Sequence, residues 1–271
     1  MKKLLASLLA LTLLAGCSSA PKEDDANKIV IGASTTPHAE ILEEIKPTLE
    51  EQGYELEIKQ FTDYVKPNQA LVDGDLDANF FQHKPYMLEW AEKADATDKI
   101  TDVLAVHFEP MGIYTVNHKS LDELADGMII SIPNDPTNGG RALRLLADNG
   151  IIELSKAEGI DVTKQDITKY VKDIEIKEMQ AETCAVSIKD VDFSVLNGNN
   201  ALNAKLDKNV LVTESKDSDA AKTYGNVIAI RPELKDTDKI NALIEALNSE
   251  DVKAFIEDTY QGIVVPLVPA K

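Results

Sequence analysis

The chain has 271 residues, of which 44% are hydrophobic, and its formal net charge is -19 at pH 7. This length and apolar content suit two domains, each with its own buried core. A surface so negative repels nucleic acid and anionic lipid headgroups, so the composition excludes a protein that binds nucleic acid.

Residues 1–16 predict a lipoprotein signal peptide. A short basic head precedes an apolar run that is too short for a membrane-spanning helix, which needs about 20 residues. The run ends in a Leu-Ala-Gly-Cys tetrapeptide that closes at Cys17 and resembles a bacterial lipobox. The alternative is cleavage at another small residue, with Cys17 incidental. We predict a lipid on Cys17 and a flexible tether over residues 17–27, which would anchor the body outside the cytoplasm, at the bacterial cell membrane.

Beyond the tether, strand-like and helix-like patterns alternate along the chain. Apolar or alternating runs predict strands at residues 28–34, 54–61, 103–107, 113–116, 128–132, 174–179, 193–196, 210–213 and 227–230. Helical spacing of apolar residues predicts helices at residues 37–52, 67–72, 84–94, 139–149, 238–247 and 252–260. This order predicts an α/β fold with a largely parallel sheet covered on both faces, which binds ligands at the carboxyl ends of its strands.

A loop rich in turn-forming residues, SIPNDPTNGGR at residues 131–141, follows one strand and opens a helix. Arg141 lies in the first turn of that helix, where a cation opposes the helix dipole, and Asn138 precedes it by three residues. A guanidinium beside free backbone amides makes a site for a carboxylate. A plain connection with a solvated Arg141 explains the same residues, so the local sequence leaves both interpretations open.

Residues 77–90, DANFFQHKPYMLEW, gather aromatic side chains in a chain that is only 5% aromatic. Such a cluster can fill a core, bind a metal or wall a ligand pocket. A metal site is not predicted, because the four histidines of the chain lack the spacing of metal ligands. Phe81, His83 and Tyr86 stand at alternate or i, i+3 positions after a strand end, so they can face a cleft together.

Asn197 and Asn226 both flank strand-like runs. They are turn residues in the plain interpretation and amide contacts to a ligand in the functional one. The sequence has neither a phosphate-binding loop nor a G-x-S-x-G elbow, and the lone thiol of Cys184 has no recognisable catalytic partner. An enzyme is therefore not predicted, and no cofactor is implied.

Distinctive motifs run along the whole chain: TDY and PNQAL within residues 62–71, LDANFFQHKPY at 76–86, EPMG at 109–112 and PNDPTNGGR at 133–141. Together they resemble the NlpA/MetQ family of lipoproteins, the methionine-binding components of bacterial ABC importers. The resemblance implies a two-lobed, periplasmic-binding-protein-like (type II) fold with two crossover segments and a ligand cleft between the lobes. It places residues 28–115 and 227–271 in lobe 1 and residues 116–226 in lobe 2.

The resemblance also implies roles for individual residues. Arg141 would pair with the carboxylate of an amino acid, and Asn138 would hold its backbone groups. Asn197 and Asn226 would add amide contacts. The side-chain pocket would be walled by Tyr64, Phe81, His83 and Tyr86. Aromatic walls suit a thioether side chain, since each sulfur–aromatic contact contributes about 0.3–1.5 kcal/mol.

The implied function is capture of L-methionine by a monomer, with delivery to an ABC permease and its ATPase subunit. Two departures from the family pattern leave other ligands open. Asn200 stands where members commonly carry tyrosine, and ETCAV at residues 182–186 stands where they carry a leucine-proline-arginine step. The alternatives are D-methionine, a methionine-containing dipeptide, another apolar amino acid, or a surface adhesin that kept the fold.

Overall fold

The computed structural model describes residues 26–155, 161–216 and 219–270. The predicted signal peptide, Cys17 and nearly all of the predicted tether lie outside the described residues. Within the described ranges, no helix combines the length and the apolar character needed to cross a membrane.

The described residues form thirteen strands and nine α-helices, numbered here in chain order. The strands are β1 Lys28–Ser34, β2 Glu55–Phe61, β3 Ala78–His83, β4 Thr101–Phe108, β5 Gly112–Tyr114, β6 Ile129–Pro133, β7 Ile152–Leu154, β8 Ile167–Tyr170, β9 Glu175–Met179, β10 Phe193–Leu196, β11 Val210–Thr213, β12 Gly225–Ile230 and β13 Val265–Pro266. The helices are α1 Glu40–Glu51, α2 Lys66–Val72, α3 Lys84–Lys93, α4 Pro136–Asp148, α5 Ala181–Val186, α6 Gly198–Asn203, α7 Asp219–Thr223, α8 Asp238–Leu247 and α9 Glu250–Tyr260.

Two large sheets carry the fold, and β7 and β8 pair in a separate two-stranded sheet. One has six strands in the order β13-β4-β12-β3-β1-β2, and the other has five in the order β11-β5-β10-β6-β9. The expectation of a largely parallel sheet is wrong, because only the pairs β1–β2, β1–β3, β10–β6 and β6–β9 are parallel. The remaining pairs within these two sheets are antiparallel.

The chain crossing between the sheets explains the mixed strand directions. β4 leads through residues 109–111 into β5 of the other sheet, and β11 returns through residues 214–224 to β12. β12 therefore enters the first sheet from the edge at which β4 leaves it, and it pairs antiparallel with both β3 and β4. The strands β1 to β4 consequently all end at the edge that faces the second sheet. The predicted lobe limit at residue 115 falls after β5, so the change of sheet comes slightly earlier than that limit.

Each sheet has its own hydrophobic core. In the first, α1 buries Leu42 and Leu49 against β1, α8 and α9, because its apolar residues recur at helical spacing. In the second, Leu143 and Leu146 of α4 pack on the strand residue Phe193 and its neighbours. Each sheet is therefore stabilised by its own core, and the residues that lie between the two sheets are available to form a site.

Candidate ligand-binding site

All eight residues predicted to contact a ligand line one cavity between the two sheets. About 330 Å³ of space that protein atoms do not fill, part of it open to solvent, lies at this cavity. The predicted residues are Tyr64, Phe81, His83, Tyr86, Asn138, Arg141, Asn197 and Asn226. Four further residues complete the lining: Gln82, Glu109, Gly198 and Asn199.

Strand ends bring the first sheet's residues to the cavity. Tyr64 follows β2, and Tyr86 lies in the first turn of α3. Phe81 and His83 lie within β3 and not after a strand end as predicted, because the strand continues to His83. His83 also caps α3, because its Nδ1 accepts a hydrogen bond from the Tyr86 backbone N–H at 3.1 Å. This agrees with the rule that ligands of α/β folds bind beyond the carboxyl ends of strands.

Arg141 is held by a partner that the sequence did not indicate. Its Nε donates to Glu214 Oε1 at 2.8 Å, and its Nη2 donates to Glu214 Oε2 at 2.5 Å and to the Glu109 carbonyl at 2.8 Å. The guanidinium also stacks over the Tyr224 ring, 4.3 Å from its centroid. None of these hydrogen bonds uses Nη1. The pair with Glu214 thus fixes one edge of Arg141 and leaves Nη1 for an anion in the cavity.

Asn138 connects the two sides of the cavity. Its Oδ1 accepts hydrogen bonds from Asn197 Nδ2 at 2.7 Å and from His83 Nε2 at 2.9 Å, and its Nδ2 donates to Asp135. His83 Nδ1 already accepts from Tyr86, so the proton of this imidazole lies on Nε2. Both ring nitrogens of His83 are therefore used within the protein, and the imidazole contributes a fixed, neutral wall.

Two amide groups present oxygen atoms to the site. Asn197 Oδ1 is buried and accepts no hydrogen bond from any described residue. Asn226 Oδ1 lies 3.0 Å from His38 Nε2. A buried acceptor without a donor is costly, so Asn197 favours a ligand that brings an N–H group to it.

Glu109 is a site residue that the sequence analysis quoted in a motif but did not assign. Its Oε1 accepts from His107 Nε2 at 2.8 Å, and its Oε2 accepts from the Asn199 backbone N–H at 2.6 Å. Burial opposes its ionisation, but these hydrogen bonds and the neighbouring His38 bring the pKa of Glu109 below its usual value. The cavity therefore contains a buried carboxylate in its charged form.

His38, His107 and Glu109 have donor atoms within 4.8 Å of one another, close enough to hold a metal ion. The surroundings of the two imidazoles do not fit a metal ion. A metal-bound histidine usually donates its other ring N–H to a partner, and Nδ1 of both His38 and His107 is buried with no partner among the described residues. The two histidines fit better as N–H groups that face the Glu109 carboxylate.

Three aromatic rings form the apolar wall of the cavity. The ring centroids of Tyr64 and Tyr86 are 5.8 Å apart, those of Tyr64 and Phe81 are 6.0 Å apart, and those of Phe81 and Tyr86 are 6.2 Å apart. Tyr86 also donates its hydroxyl to the Tyr64 carbonyl at 3.1 Å. These rings make a polarisable surface beside the charged groups, which suits a ligand with one polar end and one apolar side chain.

The buried His38 and His83 predict that the folded protein becomes less stable as the pH falls. Burial lowers the pKa of His38 to about 4, and burial together with the charge of Arg141 lowers the pKa of His83 to about 3. The unfolded chain binds protons at these histidines from about pH 6.5 downwards, and the folded protein does not. The free energy of unfolding should therefore fall by about 2 kcal/mol per histidine between pH 7 and pH 5, since each pH unit below the unfolded pKa is worth about 1.4 kcal/mol.

Urea unfolding at pH 7 and pH 5 measures this fall. The variant His38→Asn should show about half of it, because one of the two protonation sites is gone from the unfolded chain. A free energy of unfolding that is equal at the two pH values would contradict the neutral, buried state of both histidines.

Comparison with known proteins gives consistent matches over almost the whole chain. A family model described as NlpA lipoprotein matches residues 29–268. The chain is 41% identical to the methionine-binding lipoprotein MetQ of Bacillus subtilis, over 98% of this chain and 99% of the relative. It is 34% identical to the D-methionine-binding lipoprotein MetQ of Salmonella typhimurium, over 94% of this chain and 93% of the relative.

A solved structure matches the fold. The nutrient-binding protein of Burkholderia cenocepacia bound to methionine is 35% identical, with a TM-score of 0.81 over 88% of this chain and 99% of that one. This match, together with the two sheets and the cavity between them, confirms the predicted two-lobed α/β fold.

Proposed function

The chain belongs to the NlpA lipoprotein family, and we propose that it captures methionine outside the cytoplasm and delivers it to an ABC importer. The relatives named above as methionine-binding proteins support the choice of methionine as the ligand. The observation that carries the proposal is the cavity itself, in which a guanidinium edge, a carboxylate and an aromatic wall meet. The family is one of substrate-binding proteins, and the relatives named above are binding proteins rather than enzymes.

The polar end of the cavity matches the two charges of a free amino acid. The ligand carboxylate would accept from Arg141 Nη1, the edge that Glu214 leaves free. The ligand ammonium would donate to the Glu109 carboxylate and to Asn197 Oδ1, the acceptor that lacks a donor. Each charged group of the ligand then has an opposite charge, which a closed and desolvated site requires.

The apolar end of the cavity selects the side chain. The rings of Tyr64, Phe81 and Tyr86 offer contacts that a thioether fills well. A carboxylate or an ammonium on the side chain would find no counter-charge among these rings. These rings favour methionine over amino acids with a charged side chain. We propose L-methionine as the first ligand to test, ahead of D-methionine, a methionine-containing dipeptide and other apolar amino acids.

We further propose the cellular setting. Cys17 would carry the lipid, residues 17–27 would serve as the tether, and the monomer would meet a permease and its ATPase subunit at the membrane. The lobes, residues 28–115 with 227–271 and residues 116–226, would close on the ligand about the two crossover segments. Replacement Cys17→Ser should release the protein from the membrane fraction, and retention there would count against the lipid anchor.

Calorimetry tests the ligand. The soluble body, stripped of ligand by unfolding and refolding, is titrated with L-methionine, D-methionine, a glycyl-methionine dipeptide and L-leucine. We expect the tightest binding for L-methionine, at about one molecule per chain. Tighter binding of the D-isomer or the dipeptide would correct the ligand, and no binding to any of the four would favour the adhesin alternative.

A further inference from the structure

Hydrogen bonds cross the cavity from the first sheet to the second at Tyr64. Its hydroxyl donates to Asn199 Oδ1 at 2.6 Å and accepts from Asn200 Nδ2 at 3.0 Å. Tyr64 follows β2, whereas Asn199 and Asn200 lie in the first turn of α6, which follows β10. The tyrosine hydroxyl therefore uses its one proton and one of its lone pairs to join the two halves of the protein.

Both ends of this contact are fixed by other groups. On one side, the Tyr86 hydroxyl holds the Tyr64 carbonyl at 3.1 Å. On the other, Glu109 Oε2 holds the Asn199 backbone N–H at 2.6 Å. A hydrogen bond between two fixed groups loses little entropy when it forms, so closure of the cleft brings Tyr64 and the two asparagines together already oriented.

Asn200 differs from the other cavity residues in position. Asn199 lines the cavity, whereas Asn200 is not part of the lining. Asn200 is only 7% exposed, and its side-chain amide N–H donates to the Tyr64 hydroxyl. Asn200 therefore contacts Tyr64, which lines the cavity, and does not itself line the cavity.

We propose that Asn200 is a closure residue, which holds Tyr64 across the cleft and slows the release of the bound amino acid. The inference rests on the proposed function and adds a residue that sets how long the ligand stays. Asn200 acts through Tyr64 and is a positioning residue, so it should affect the rate of release more than the rate of binding. Closure follows the first encounter with the ligand, which leaves the association rate unchanged.

Rapid-filtration release of labelled L-methionine tests the inference. The variant Asn200→Ala should release the ligand about five to ten times faster than wild type, as expected for one lost neutral hydrogen bond. Its association rate should stay within about twofold of wild type. Asn203→Ala is the matched control, because Asn203 lies in the same helix and is exposed to solvent. That control should release L-methionine at the wild-type rate.

A double-mutant cycle with Tyr64→Phe separates this contact from a general loss of structure. Once the hydroxyl is absent, adding Asn200→Ala should not speed release any further. An unchanged release rate in Asn200→Ala, or an equal acceleration in the Tyr64→Phe background, overturns the inference and leaves the proposed function standing. Failure of the wild-type protein to bind L-methionine overturns both.

Discussion

The variant Arg141→Ala should bind L-methionine about 30-fold to several thousand-fold more weakly than wild type, the effect of truncating one partner of a buried charge pair. The carboxylate of the ligand loses its cation. Glu214, which now pairs with Arg141 through two hydrogen bonds, is also left with an unpaired charge beside the cavity. Calorimetry on the refolded variant measures the loss of affinity.

A second variant separates binding from folding. In Arg141→Ala, the Glu214 carboxylate has lost its partner and should lower the free energy of unfolding, because an unpaired charge close to the interior is costly. The double variant Arg141→Ala with Glu214→Gln removes that charge, so it should regain stability but not affinity. Wild-type affinity in either variant would show that Arg141 does not hold the ligand.

The variant Glu109→Gln should weaken L-methionine binding by about 30- to 1,000-fold, because a neutral amide cannot replace the charge that faces the ammonium. The glutamine amide also cannot accept both of the hydrogen bonds that the two carboxylate oxygens accept. His107 Nε2–H and the Asn199 N–H both donate to the carboxylate, and the NH₂ group of a glutamine would oppose one of them. The free energy of unfolding should therefore fall as well, by about 1–3 kcal/mol.

Glu182→Gln is the matched control for this charge. Glu182 lines a separate groove with Tyr64 and Tyr86 and is not part of the cavity lining, so its replacement changes the local field without removing a contact in the ligand space. We expect its affinity for L-methionine to remain within about twofold of wild type. If Glu109→Gln binds as tightly as this control, Glu109 is a structural residue and not an ammonium partner.

Sequence patterns located nine of the thirteen strands and six of the nine helices that the structure describes, and β3 is the missed strand that contributes to the site. Strands β1, β10 and β11 and helix α8 lie at the predicted residues, because their apolar residues repeat with the period of each element. β3 is buried along its whole length and contains Asn79 and Gln82. These polar side chains break the apolar pattern. They are accommodated because both bond to Asn68, a contact that local sequence does not reveal.

Strand direction was missed for a different reason. Alternating strands and helices indicate a parallel sheet only when the chain stays within one sheet. Here β12 returns from the second sheet and inserts between β3 and β4 in the opposite direction. The crossing depends on contacts between distant segments, so no local pattern contains it.

The candidate site was predicted unevenly. Arg141 and the aromatics of residues 77–90 were found because their residue types are unusual where they occur. Glu109 and Glu214 are two among 47 acidic residues. Glu109 belongs to the distinctive EPMG motif, but nothing in that motif assigns it a role, and nothing in the local sequence distinguishes Glu214. They become recognisable only when the fold brings Glu214 to Arg141, which is 73 positions away in the chain. Buried carboxylates of this kind follow from the fold and not from the motif.

A crystal structure of the refolded protein with L-methionine would test the central claim most directly, because the claim concerns how one ligand is oriented. The proposal predicts the ligand carboxylate within hydrogen-bond distance of Arg141 Nη1, the ammonium between Glu109 and Asn197 Oδ1, and the thioether against the rings of Tyr64, Phe81 and Tyr86. A ligand bound outside this cavity, or one bound inside it with its ammonium toward Arg141, would contradict the account.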